Sequence, residues 1–138
     1  MKKFAILLLV LVFAIPSFAQ KITEDKAKES VKSILSKITT DYGKVDHDKG
    51  YYELEYKLVY NGKVVSEAEK KVKQAPNVKS GQLLLDFEKE LKSKLTSASV
   101  ESAKLDKDDN KWEVKLNVPG IDIGEINVDA STGEIVAD

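Results

Sequence analysis

From Lys111 to Val118 apolar and polar residues alternate without a break, with Trp112, Val114, Leu116 and Val118 on one side and Lys111, Glu113, Lys115 and Asn117 on the other. Side chains along a strand have a period of two, so this predicts a strand with one face in the core and one in water. Ile126, Val128 and Ala130 repeat the alternation, Ser131-Thr132-Gly133 supplies a glycine for a tight turn, and Ile135 and Val136 resume it. A C-terminal hairpin closed between Asp129 and Glu134 follows. Tyr52, Leu54, Tyr56, Leu58 and Tyr60 alternate in the same way and run into Asn61-Gly62, the strongest short hairpin signal. A returning strand begins at Lys63, but Val64, Ala68 and Val72 suit helical spacing equally, which leaves strand and helix open there. Val100 to Leu105 reads as a strand that turns through Asp106 to Asn110.

Two stretches have the helical period instead. Ala27, Val31, Ile34, Leu35 and Ile38 form one stripe behind a Thr23 cap, with Glu24 and Asp25 in the first turn where the helix dipole favours acids. Leu84, Phe87, Leu91 and Leu95 form another behind Ser80. Both stripes read as core. Pro76, in Lys73-Gln74-Ala75-Pro76-Asn77, blocks helix and central strand and marks a linker.

The chain also repeats itself. One ungapped shift lays Lys44, Asp46, Asp48 and Glu53 on the identical Lys104, Asp106, Asp108 and Glu113, and Tyr52, Leu54 and Leu58 on the apolar Trp112, Val114 and Val118. The same shift carries Val31, Lys32, Ser33 and Leu35 of the first helix onto Leu91, Lys92, Ser93 and Leu95 of the second. Alternating strands resemble each other by chance, but a chance match does not also align a helix, so an internal duplication is expected. The predicted class is α+β, two helix-plus-antiparallel-strand repeats, residues 20–76 and 77–138, with helices packed on one face of antiparallel sheet.

Lys2 and Lys3 precede an apolar run from Phe4 to Ile15, then Pro16 and the small residues of Ser17-Phe18-Ala19. This is the pattern of a signal peptide over residues 1–19, with cleavage after Ala19 and a secreted or periplasmic product. The run falls short of the roughly 20 apolar residues that span a bilayer, so no stable membrane anchor is expected after cleavage. The chain has no Cys, so no disulfide staples the fold and no lipid anchor is expected. Its formal net charge is −1 and every basic residue is Lys, interleaved with Glu. Nucleic-acid surfaces favour Arg forks and a concentrated basic face, so no nucleic-acid partner is expected.

The order helix, acidic turn, Trp112-Glu113-Val114-Lys115-Leu116 strand and Val128-Asp129-Ala130-Ser131-Thr132-Gly133-Glu134 hairpin resembles the PepSY domain family of peptidase propeptides and related secreted domains. The resemblance covers residues 82–138. In residues 20–76 the Tyr52 strand and the Asn61-Gly62 hairpin fit, but no Asp-x-x-Thr-Gly sequence follows Lys63, so that half resembles a degenerate copy. The resemblance implies a PepSY/cystatin-like fold and an exported, non-catalytic module without cofactor that binds a protein partner, a peptidase first, to inhibit or assist it.

No constellation reads as catalytic. Asp106, Asp108 and Asn110 open like a calcium loop, but Lys111 stands where the sharp-turn glycine is needed and Asn117 where the bidentate acid is needed. A solvated turn fits better. His47 is the one histidine and lies in what reads as a polar turn between Asp46 and Asp48. Glu53 and Glu55 share a strand face that alternates with Lys and offers no apolar pocket to raise a carboxyl pKa. The residues expected on a partner-binding surface are Tyr51, Glu53, Glu55, Lys57, Glu113 and Lys115, on an open sheet face or beside an edge strand. The competing expectation is a structural envelope protein whose acidic turns bind divalent cations weakly.

Overall fold

The computed structural model describes residues 21–138. The expected signal peptide, residues 1–19, lies outside them. Helix α1 (Glu24–Ile34) runs into a 3-10 turn over Leu35–Lys37. Strands β1 (Thr39–Asp48), β2 (Tyr51–Tyr60) and β3 (Lys63–Lys73) follow. Helix α2 (Ser80–Thr96) precedes β4 (Ser99–Asp106), β5 (Lys111–Asn117), β6 (Asp122–Ile123), β7 (Ile126–Asp129) and β8 (Ile135–Val136). The strands make two antiparallel four-stranded sheets, β1-β2-β3-β6 and β4-β5-β7-β8. The class is therefore α+β. β1 and β4 begin at Thr39 and Ser99, and β2 and β5 at Tyr51 and Lys111, the same separation in both cases.

The helices are crossed. α1 packs on β4, β5 and β7, and α2 packs on β1 and β2, so each helix covers the sheet built mainly from the other half of the chain. One hydrophobic cluster joins Val31, Ile34, Leu54, Leu58, Phe87, Leu91, Val114 and Ile126. β6, from the second half, pairs with β3 of the first through Ala68 opposite Ile123 and Glu69 opposite Asp122. Close approach needs Gly124 there: its N–H donates to the Glu67 carbonyl at 2.8 Å, its carbonyl accepts from buried Ser66 Oγ, and an added Cβ would lie 2.8 Å from that Oγ. The Asp138 N–H donates to the Val64 carbonyl at 2.8 Å and ties the C-terminus to β3.

Local chemistry explains most boundaries. Thr23 Oγ1 accepts from the Lys26 N–H at 3.2 Å and starts α1, as the sequence predicts. Ser80 does not cap α2; Lys79 holds that position without a side-chain bond, and Ser80 is the first helical residue. Asn61 and Gly62, at φ 53° and 77°, close the β2–β3 hairpin as a two-residue turn. The Asp129 carboxylate accepts from the Ser131 and Thr132 N–H groups at 2.8 and 2.9 Å and shapes the last hairpin, with Gly133 at φ 79°. The open segment after Lys63 is a strand throughout. Asp46, His47 and Asp48, expected in a turn, are instead the end of β1, and the turn is Lys49-Gly50. Among the described residues no helix is long and apolar enough to cross a membrane.

Candidate functional site

Strand alternation sets the surface. On β2 the inward residues are Leu54, Tyr56 and Leu58, all buried, with Tyr52 and Tyr60 half-buried. Glu53, Glu55 and Lys57 point to the opposite face, as the sequence predicts, and Tyr51 at the strand start is 47% exposed. The register places Lys71 opposite Glu53, Glu69 opposite Glu55 and Glu67 opposite Lys57. On the second sheet Glu113 and Lys115 alternate with buried Val114 and Leu116 and lie outward, Glu113 half-buried and Lys115 exposed. The two outward faces meet: Glu67 on one side and Lys111, Glu113 and Asn127 on the other line one cleft of about 290 Å³ beside Gly124. α1 and α2 occupy the inner faces, so a polar surface runs across both sheets without a helix over it.

Its charges are unevenly distributed. On the second sheet opposite charges face each other, Lys104 with Glu113, Asp106 with Lys111 and Lys111 with Asp129. On the first, Glu55, Glu69 and Asp122 stand in register across three adjacent strands, an arrangement that costs stability because like charges oppose directly. Lys57 Nζ lies 3.1 Å from Glu55 and 2.7 Å from Glu67. Its hydrogen bond holds the Glu67 carboxyl below the ordinary carboxylate range, and Glu67 and Glu55 together hold the ammonium proton above the usual lysine range. Among the described residues Glu69 has no such partner. Partial burial, followed by the charges of Glu53, Glu55, Glu67 and Asp122, pushes its carboxyl up. Across the cleft Glu113 is also pushed up, chiefly by the neighbouring Glu125 carboxyl, since two adjacent carboxylates favour sharing a proton.

The residues that open like a calcium loop, Asp106, Asp108 and Asn110, form a turn held by its own hydrogen bonds. Asp106 Oδ1 accepts from the Asp108 and Asp109 N–H groups at 3.1 and 3.3 Å, and these bonds, Asp109 first, hold its carboxyl below the ordinary range. Asn110, at φ 51°, donates to Ser131 Oγ at 2.9 Å. Among the described residues the grouping whose carboxylate oxygens lie within 4.8 Å of one another is Glu55, Glu67 and Glu69. His47 stands against Tyr52 edge to face, ring centroids 4.9 Å apart.

Glu67, Glu69 and Asp122 belong to this surface but do not stand out in the sequence. The Asn61-Gly62 turn alone does not disclose the first two: continued without a shift it sets Ser66 opposite Lys57 and Ala68 opposite Glu55, and the bulge between Leu58 and Val59 brings Glu67 and Glu69 into those places. Comparison with known protein families, with curated proteins and with solved structures finds no match.

Proposed function

We propose that this chain is an exported, non-catalytic binding module of PepSY-like, duplicated construction that recognises a protein partner, a peptidase first, across its open sheet faces. The observation that carries the reading is the polar surface spanning both sheets while both helices lie on the opposite side. A second route uses the open edges: β1 offers ten residues and β4 eight, and pairing there draws on main-chain hydrogen bonds rather than side-chain identity. The unbalanced row of Glu55, Glu69 and Asp122 favours a partner that presents Lys or Arg to the first sheet.

The test is affinity capture from the exported fraction of the source organism, with the parent chain and with a Glu69→Lys, Glu113→Lys, Lys115→Glu variant. The expected result is a peptidase held by the parent and lost by the variant. Glu69 and Glu113 are half-buried and only Lys115 is exposed, so urea unfolding of the variant accompanies the capture, and capture lost by a variant as stable as the parent reports on binding. A partner retained by the variant moves the contact to an edge strand, and capture of no partner sinks the reading.

The alternative, weak divalent-cation binding, draws support from the Glu55, Glu67 and Glu69 grouping. Lys57 argues against it, since its ammonium already sits between two of the three carboxylates. Calorimetry with calcium and with zinc decides: stoichiometric binding lost on Glu69→Gln, or on Asp106→Ala with Asp108→Ala, would install the alternative.

A further inference from the structure

We propose that either half of this molecule can be supplied by a second copy of the chain, so that two chains form a reciprocally exchanged dimer in which residues 21–73 of one complete residues 80–138 of the other. The argument starts from the crossed helices. α1 has its packing partners on β4, β5 and β7, and α2 has its partners on β1 and β2. The remaining joints also run between halves: β3 with β6, Ser66 and Glu67 with Gly124, and Val64 with Asp138. Each of these contacts is non-covalent and has the same geometry whether the halves share a chain or not.

One covalent connection joins the halves, residues 74–79. Its hold on the rest is slight. Gln74 donates from its backbone to the Gly50 carbonyl at 2.9 Å and from its side chain to the Asp48 and Tyr51 carbonyls, all within the first half. Beyond it the local Val78 N–H to Ala75 carbonyl bond, at 3.3 Å, shapes the segment, whose Asn77 is at φ 73°, and the Lys79 carbonyl accepts from the Gln82 and Leu83 N–H groups at 3.1 and 3.2 Å where α2 begins. No core residue lies in this stretch. Opening it costs little, and both forms bury the same core.

Concentration then decides between them. A short tether gives its two ends an effective concentration in the millimolar range, so at micromolar protein the closed monomer prevails. Disabling the in-chain pair removes that competition and exposes exchange at ordinary concentrations.

The experiment uses two full-length variants from Gln20. Leu54→Asp places a charge in the core of the first half and Val114→Asp in the core of the second; both positions are buried. Each variant alone is expected to lack native far-UV circular dichroism. Refolded together at equal concentration, the intact first half of the Val114→Asp chain meets the intact second half of the Leu54→Asp chain, and about half of the native signal returns in a species of dimer mass. No recovery on mixing overturns the proposal. So does a native, cooperative partial signal from either variant alone, which would mean that a half folds unaided. Parent chain refolded near millimolar concentration should contain dimer that persists on dilution, and monomer alone at every concentration counts against exchange.

Discussion

At Glu90 two ammonium groups converge on one carboxylate: Lys70 reaches it from β3 and Lys94, at 2.8 Å, from one turn along α2. Lys70 lies on the inward register of its strand, so this pair fastens sheet to helix at the edge of the core. Hydrogen bonds from Lys70 and then Lys94 hold the Glu90 carboxyl below the ordinary carboxylate range. A depressed acid contributes stability that is present above its unfolded pKa and lost as pH falls through the folded value. Glu90→Gln should therefore lower stability by about 1–2 kcal/mol at pH 7, and the gap from the parent should close in urea titrations as pH falls below 4. Glu69 has the opposite sign. Its carboxyl is raised, so ionisation costs stability above the folded pKa, and Glu69→Gln should stabilise the protein at pH 7 with a benefit that disappears in acid. Tyr42 carries a different strain: it is 68% exposed at φ 54°, in the β1 bulge, a left-handed conformation that bulky side chains disfavour and that Asn, whose short amide bonds to nearby backbone, tolerates better. Tyr42→Asn should raise stability by about 1 kcal/mol, read from the urea midpoint. A loss instead would mean that the ring makes contacts that outweigh its backbone strain.

The elements differed in how far their sequences disclosed them. β5 was plain because Val114 and Leu116 are buried between wet neighbours, and α1 because Ala27, Val31 and Ile34 all lie in the core. β1 gives no strand signal in the sequence because almost nothing along it is buried: it is an edge, interrupted by a bulge between Asp41 and Lys44, and Val45 is its hydrophobic residue packed toward the core. β3 looked ambiguous for a related reason. A register shift opposite Leu58 and Val59 puts consecutive Val65 and Ser66 both in the interior and breaks the period of two. A helical stripe states that one face is buried but not against which sheet, and so the crossing was invisible. Trp112 tests the element the sequence described best. It is half-buried rather than enclosed, and its Nε1 donates to the Ile22 carbonyl at 3.2 Å. Trp112→Ala should cost about 3 kcal/mol, while exposed Lys115→Ala should stay within about 0.5 kcal/mol. Equal stability of the two variants would refute the assignment of faces on β5.

At the scale of the molecule, the shared core requires one unfolding event. Trp112 fluorescence reports on the second sheet and far-UV circular dichroism on all elements, and their urea transitions should coincide. Separated midpoints would reveal independent halves, as would a stable, cooperatively melting segment Ser80–Asp138. Halves of such size without Cys bury too little alone to outweigh chain entropy. The docking of Ile22 has a consequence in time. Its N–H donates to the Ala130 carbonyl at 2.7 Å, and α1 behind it rests on β7. Of the described elements, the first in chain order thus has its resting place on one of the last. At about 5–20 residues per second, α1 waits several seconds for β7 to be synthesised. Domains usually fold in the order they emerge, but this one stays unfinished until the β7–β8 hairpin is out. Over that interval the growing chain lacks the surface on which α1 docks, and it locks only when β7 arrives.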